Sequence, residues 1–481
     1  MWKPPQRIKY EPSPGSWPNA AAAKDARLFQ PLDYQALRLN DRTWVTAMVP
    51  WRALESGEVT EANIDWYGRF ARGKPGGLVI EATGIRDVPS GPLLRIGHDR
   101  FIPGLGQLVD RVKEESRGYT KLFIQLIDFL AVRRRPEPTK YFDRFLNITK
   151  YHRQALKLPK ATDGEVRSLL KTMTDEQLAE VLTTTEIESL THGYRERVTD
   201  THLPYISDLP AQLPALFAKA AARARTAGID GVELHFAHAY TMASFLSPTN
   251  NRKDGYGGSP DARVKLALEV IDAVREEVGP DYVLGARILA EECIAGGSTL
   301  EDTTFYAEKF ANSGLDYLSL SRGGKFDDAK KPKIGWAVYP YTGPSGYECM
   351  PQYLSDEFGP FGRNFEPAKA IRTHLHNSGT KIPVVVAGGI HNFEQAENAL
   401  ESGVGDIIGF ARQALADPDW FEKVRSGCGD EVRLCVYSNY CEGLDQKHKQ
   451  VTCNLWDRID LDKHCTKTTD GKRRLVAPNW R

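Results

Sequence analysis

The chain has 481 residues, 41% of them apolar and 10% aromatic, enough for a large buried core. Its 63 lysines and arginines balance 63 aspartates and glutamates, so bulk charge predicts neither a nucleic-acid nor a membrane partner. The N-terminus is proline-rich and polar without the apolar centre of a secretory leader, and no run approaches the ~18–20 apolar residues of a membrane span. Seven cysteines, an odd number, point to a reducing cytoplasm rather than a disulfide framework.

Along the chain, short apolar runs suited to buried parallel strands alternate with amphipathic helical patterns. The runs begin near Trp44, Gly77, Lys121, Gly231, Val283, Asp316, Pro383 and Asp406, several of them just after a helix-ending glycine such as Gly228, Gly314 or Gly403. Between them, Val264, Leu268, Ile271, Val274 and Val278 form one apolar stripe that stops at Gly279. Eight such units predict an α/β protein of the (β/α)8 TIM-barrel class, with its chemistry just past the C-terminal ends of the strands. No Gly-x-Gly-x-x-Gly element follows the first strand, which argues against a Rossmann domain.

The expected organisation is an N-terminal extension over 1–27, a barrel over 28–425 and a cysteine-containing C-terminal extension over 426–481. A charged stretch, 131–209, interrupts the pattern after strand three and is far longer than the usual βα connection of about 2–6 residues. It carries helical patterns at 163–173 and 175–190. Two readings stand side by side, a lid over the barrel mouth and an interface.

The fourth strand runs into His235-Phe236-Ala237-His238-Ala239-Tyr240. Two imidazoles and a phenol at this spacing can converge above the barrel mouth. A carbonyl oxygen accepting two imidazole hydrogen bonds becomes more electrophilic, and the enolate-like charge developing there is stabilised. A nearby tyrosine can hand a proton to the carbon alpha to that carbonyl. Metal binding is the competing reading of the two histidines, but no third ligand is evident beside them. After strands seven and eight, Val386-Ala387-Gly388-Gly389 offers bare backbone amides and Gly409-Phe410-Ala411-Arg412 adds a guanidinium, at the common phosphate position of such barrels.

Behind the His-x-x-His-x-Tyr set, Phe245-Leu246-Ser247-Pro248-Thr249-Asn250-Asn251-Arg252-Lys253-Asp254-Gly255-Tyr256-Gly257-Gly258-Ser259 resembles the signature stretch of the Old Yellow Enzyme family of NADH:flavin oxidoreductases. Agreement extends from Leu28-Phe29-Gln30-Pro31-Leu32 to Ala416-Asp417-Pro418, the insertion excepted. The resemblance implies an FMN enzyme, reduced by NAD(P)H, that passes hydride from flavin N5 to an activated C=C bond. The substrate would be a small molecule, an α,β-unsaturated carbonyl compound or an enoyl or dienoyl thioester. His235 and His238 would hold its carbonyl oxygen and Tyr240 would protonate the α-carbon. By the same resemblance, Thr46, Ala47, Met48 and Ala82 line the isoalloxazine edge and Gln125 bonds the pyrimidine side. Arg287 stands near N1, where a cation favours the anionic reduced flavin, and Gly388, Gly389, Ala411 and Arg412 take the phosphate.

Departures from the family are local. Val49 stands where relatives often carry threonine or cysteine. Leu126-Ile127-Asp128-Phe129 follows Gln125, so Asp128 is read either as a substrate-binding carboxylate, for a cationic or hydroxylated ligand, or as a solvated loop residue. Cys435-x-x-Ser438-x-x-Cys441, with Cys453 beyond, resembles the four-cysteine [4Fe–4S] segment of the 2,4-dienoyl-CoA reductase and trimethylamine dehydrogenase branch. Ser438 replaces a ligand cysteine there, which argues against a normal cluster. The surviving cysteines are read as metal-free relics, a partial or serine-ligated cluster, or a zinc site completed by His448 or His464. The branch's second flavin- or dinucleotide-binding domain is not expected, so electrons would come directly from NAD(P)H or from a separate partner. Two other functions compete: an FMN-dependent amine or C–H dehydrogenase of demethylase type, and an electron-transfer flavoprotein. The family often dimerises, which leaves a homodimer open.

Overall fold

The structure, a computed structural model, describes residues 8–459, 461 and 464–481. Each of the eight apolar runs forms a parallel strand: β1 Thr43–Val45, β2 Gly77–Gly84, β3 Lys121–Ile127, β4 Gly231–Phe236, β5 Val283–Leu289, β6 Tyr317–Ser321, β7 Val384–Ala387 and β8 Ile407–Phe410. They follow one another around a closed barrel, with Ile408 of β8 opposite Thr43 of β1 and Phe410 opposite Val45. Closure depends on large and small residues sharing the interior. The rings of Phe123 and Tyr317 lie 4.6 and 5.1 Å from that of Trp44. Glycines on neighbouring strands make room for them: a Cβ at Gly77 would stand 2.2 Å from Trp44 Cε3, and one at Gly285 2.2 Å from Tyr317 Cε1. The N-terminal end is plugged by the hairpin Leu32–Tyr34/Leu37–Leu39, whose leucines join the same layer.

Outside the barrel, the stripe over 264–278 is realised as the helix Pro260–Val278, capped by Ser259 and ended by Gly279 at φ +72°. It packs against the helix Leu209–Thr226. No helix among the described residues is long and apolar enough to cross a membrane.

The insertion leaves the barrel after β3 through a two-stranded neck in which Val132 and Arg195 pair antiparallel. It then folds around a small core of its own, including Tyr141, Phe142, Val166, Leu170, Leu178 and Leu190, apart from the barrel core. The helix expected over 163–173 stops early, at Asp163–Leu170. The single helix expected over 175–190 is two, Asp175–Val181 and Thr184–Thr191, because Thr183 accepts from the Glu186 amide and opens a new helix there. The C-terminal extension packs as part of the barrel body. Trp456 is buried and donates to the Leu415 carbonyl at 2.9 Å, and Arg52 donates to the carbonyls of Val451 and Leu475 at 2.9 and 2.6 Å.

Candidate active site

Parallel strands aim their C-terminal ends at one mouth, and a cavity of about 280 Å³ opens there. Thr46, Ala47, Met48 and Val49 reach it from β1, Ala82 from β2, Gln125 from β3, and His235, His238 and Tyr240 from β4 and its loop. Arg287 comes from β5, Gly388 and Gly389 from β7, and Ala411 and Arg412 from β8. Thus all the cofactor and catalytic candidates of the sequence line one space.

His235 and His238 stand with ring centroids 5.3 Å apart, and the Tyr240 ring lies 5.5 Å from His235. The Nδ1 of each histidine is buried without a hydrogen-bond partner, among the described residues. Burial, reinforced by the Arg287 charge, lowers His235 to about 3. His238 is also pushed well below the ordinary histidine value, by burial first and then by His235, Arg287 and Lys325. Both are therefore neutral rings at pH 7, able to donate one N–H each without repelling a cation at Arg287. Burial raises Tyr240 well above the usual tyrosine range, so its phenol keeps its proton. That ring meets Phe129 edge to face at 5.3 Å and shares a hydrogen bond with Tyr341.

The histidine pair is held by residues that sequence reasoning missed. His238 has φ +61°, a left-handed conformation uncommon for a residue with a side chain. Its carbonyl accepts from Lys325 Nζ at 2.8 Å, and its Nε2 shares a 2.9 Å hydrogen bond with Ser321 Oγ. Lys325 is buried and paired with buried Glu292 at 2.7 Å. Glu292 in turn accepts from Ser247 Oγ at 2.7 Å and from the Ser298 amide at 2.6 Å. This network ties the loops after β4, β5 and β6 together. Its members are far apart in sequence, and a single Lys or Glu past a strand end has no spacing that marks it.

On the opposite side, Gln125 Nε2 donates to Glu233 Oε1 at 2.6 Å. Burial raises the Glu233 carboxyl while the Arg287 charge opposes the shift. Arg287 Nε is buried without a partner, and the guanidinium has no ion pair among the described residues, so a ligand has a free cation to meet. Gly389 has φ +68°, and a Cβ there would fall 2.2 Å from the Pro360 carbonyl oxygen. Among the described residues, neither its amide nor that of Gly388 donates to a backbone carbonyl, as an anion-binding turn requires. Arg412 Nη1 donates to the Pro351 carbonyl and to Asn439 Oδ1. This cradle of bare amides with guanidinium groups fits a phosphorylated flavin.

Asp128 is neither of the things expected of it. Its carboxylate is buried outside the cavity and accepts from Arg86 Nε at 2.5 Å and Nη2 at 2.9 Å. Arg86, on the loop after β2, neutralises it before any substrate can. Cys435 and Cys453 are buried and Cys441 reaches the cavity, but His448 is elsewhere, stacked on Trp51 with centroids 4.0 Å apart. Ser438 Oγ donates to Asn454 Oδ1 at 3.4 Å. Among the described residues no group of three or more His, Cys, Asp or Glu side chains is placed to hold a metal ion, so the zinc set is not assembled.

The cavity roof was also missed. Tyr339 and Tyr341 come from the long loop after β6, and Glu442 and Asp445 from the short helix Tyr440–Asp445 of the C-terminal extension. A smaller cavity of about 160 Å³ lies across Phe129 and Tyr240 and is lined by Arg195, Glu196, Arg197, Val198 and Thr199. The return leg of the insertion therefore flanks the site, while its helices do not line the main cavity.

Taken together, a closed (β/α)8 barrel with neutral paired imidazoles, a protonated phenol and an anion cradle at its C-terminal mouth defines the class. The model of the NADH:flavin oxidoreductase / NADH oxidase family matches residues 211–348 and 355–431 of the chain. The chain is 29% identical over 430 residues to a metal reductase of Desulforamulus reducens, covering 89% of this chain and 53% of that protein. It is 28% identical over 408 residues to an NADH oxidase of Thermoanaerobacter brockii, covering 84% and 51%. The chain thus spans about half the length of these relatives. A 2-naphthoyl-CoA reductase complexed with 2-naphthoyl-CoA shares the fold, with a TM-score of 0.64 and 19% identity over 91% of this chain and 57% of the other.

Proposed function

We propose that the protein is an FMN-dependent NAD(P)H oxidoreductase that reduces the activated C=C bond of a small α,β-unsaturated carbonyl compound. The observation that carries this reading is the pair of buried, neutral histidines with unpartnered Nδ1 atoms beside a phenol that keeps its proton. Thr46, Ala47, Met48, Ala82 and Gln125 would hold the flavin ring, Arg287 its electron-rich edge, and Gly388, Gly389, Ala411 and Arg412 its phosphate. The bound flavin would take a hydride from NAD(P)H and supply it to the β-carbon.

The chain's own residues supply the rest. His235 and His238 present N–H donors to one carbonyl oxygen, lower the energy of the charge that gathers there, and fix the substrate's orientation. Tyr240 delivers its proton to the α-carbon and is connected through Tyr341 to the roof. Lys325 and Glu292 keep His238 in its left-handed turn. Anaerobic mixing tests the reading: NADH-reduced protein should be reoxidised by an enone such as cyclohexenone. Bleaching of the oxidised protein by a methylated amine, with no reoxidation by enones, would replace the reading with amine oxidation.

A further inference from the structure

The cavity roof carries negative charge that the chemistry above does not use. Asp445 accepts hydrogen bonds from Trp51 Nε1 and from the Tyr339 phenol, both uncharged donors. Among the described residues, no cation is among the groups acting on it. Burial raises its carboxyl to about 6, which still leaves it ionised at neutral pH. Glu442, on the same short helix, has the Gln446 amide as its one direct side-chain partner among the described residues, with Arg412 and Lys330 acting from a distance.

Aromatic rings surround these carboxylates. Tyr339 and Tyr341 stand at 75° with centroids 5.3 Å apart, and Trp51, Phe129 and Tyr240 complete the wall. The arginines that line the cavity do not neutralise Asp445. Arg322 is committed to Glu291 and Glu348, Arg412 leans over the Tyr437 ring, and Arg287 acts on Glu233 and the histidines. The cavity is therefore polarised, cationic where Arg287 lies and anionic-aromatic at the roof. A half-buried carboxylate with no counter-ion among the described residues, walled by π faces, is most stable when an organic cation supplies the missing charge. An anionic substrate tail would meet repulsion there.

We infer that the cavity selects substrates that carry an ammonium or similar organic cation beyond the double bond, with Asp445 as the specificity-determining residue. This rests on the proposed C=C reduction, and the test separates the two. Flavin-loaded protein is given two isosteric aldehydes, 4-(trimethylammoniomethyl)cinnamaldehyde and 4-neopentylcinnamaldehyde, in which a methylene separates the charged or neutral head from the conjugated double bond. The cationic one should be favoured in kcat/KM by about tenfold or more. Asp445→Asn should bring the ratio towards one, and Asp445→Glu should restore part of it.

A second arm needs no turnover. Titration of the flavin absorption spectrum with benzyltrimethylammonium and with neopentylbenzene should show tighter binding of the cation. Equal kcat/KM values in the unmodified protein, equal affinities in the titration, or a preference that survives in Asp445→Asn would overturn the inference. Failure to reduce either aldehyde would instead count against C=C reduction, and the titration would still decide the role of Asp445.

Discussion

At the base of the cavity, Gln125, His235 and Arg287 sit on strands whose backbone ladders fix them, with His235 in register opposite Arg287. At the roof, Tyr339, Tyr341 and Asp445 come from a loop and a short helix and are joined chiefly through side-chain hydrogen bonds. The difference teaches where each task lies. Groups that must meet reacting atoms within tenths of an ångström belong on a rigid scaffold, and groups that select a substrate can come from appended segments. Changes at the base should therefore alter chemistry, and changes at the roof should alter preference.

The largest expected effect is at Tyr240. Tyr240→Phe removes the proton donor and should slow double-bond reduction by about 10²–10⁴-fold while leaving flavin reduction by NAD(P)H intact. Rapid mixing of each half-reaction separates the two. A comparable loss in both halves would move Tyr240 from chemistry to binding.

Next comes the Lys325–Glu292 pair. Lys325→Met leaves Glu292 buried and unpaired, and should cost about 3–5 kcal/mol in urea unfolding. Adding Glu292→Gln should recover part of that loss. If the double variant is no more stable than the single one, the pair is not what supports the His238 turn.

A pH effect follows from His235. Its folded-state pKa is lowered to about 3, below the ordinary histidine value of 6.5, so protons bind the unfolded chain more readily. Stability should be unaffected above pH 6.5 and fall as pH drops from there towards 3, by about 2 kcal/mol at pH 5 from this group. Unfolding of His235→Asn at pH 7 and pH 5 should show a shallower decline than the unmodified protein, and an identical slope would contradict a neutral His235.

The smallest effect should come from the insertion. Replacing 137–191 with a short glycine–serine link should change kcat/KM by less than about threefold, since that segment has its own core and does not line the main cavity. A tenfold loss would make it part of the site.

The barrel was legible because each strand announces itself locally, as a short apolar run between helix-ending glycines and the next amphipathic stripe. His235, His238 and Tyr240 were legible for the same reason, being contiguous past one strand. Asp128 was misread because its partner, Arg86, lies 42 residues away on another loop. Lys325, Glu292 and Asp445 were invisible because their meaning comes from loops converging in space. The single helix expected over 175–190 was divided by one threonine cap, a detail that an apolar pattern alone does not reveal.

The central claim is that His235 and His238 activate a carbonyl oxygen at the barrel mouth. It is tested most directly by reducing the flavin-loaded protein anaerobically with NADH and following reoxidation by cyclohexenone. The account predicts rapid reoxidation of the unmodified protein, and a rate about 10²–10³-fold lower in the His235→Ala/His238→Ala variant. Reoxidation at an unchanged rate in that variant would contradict it.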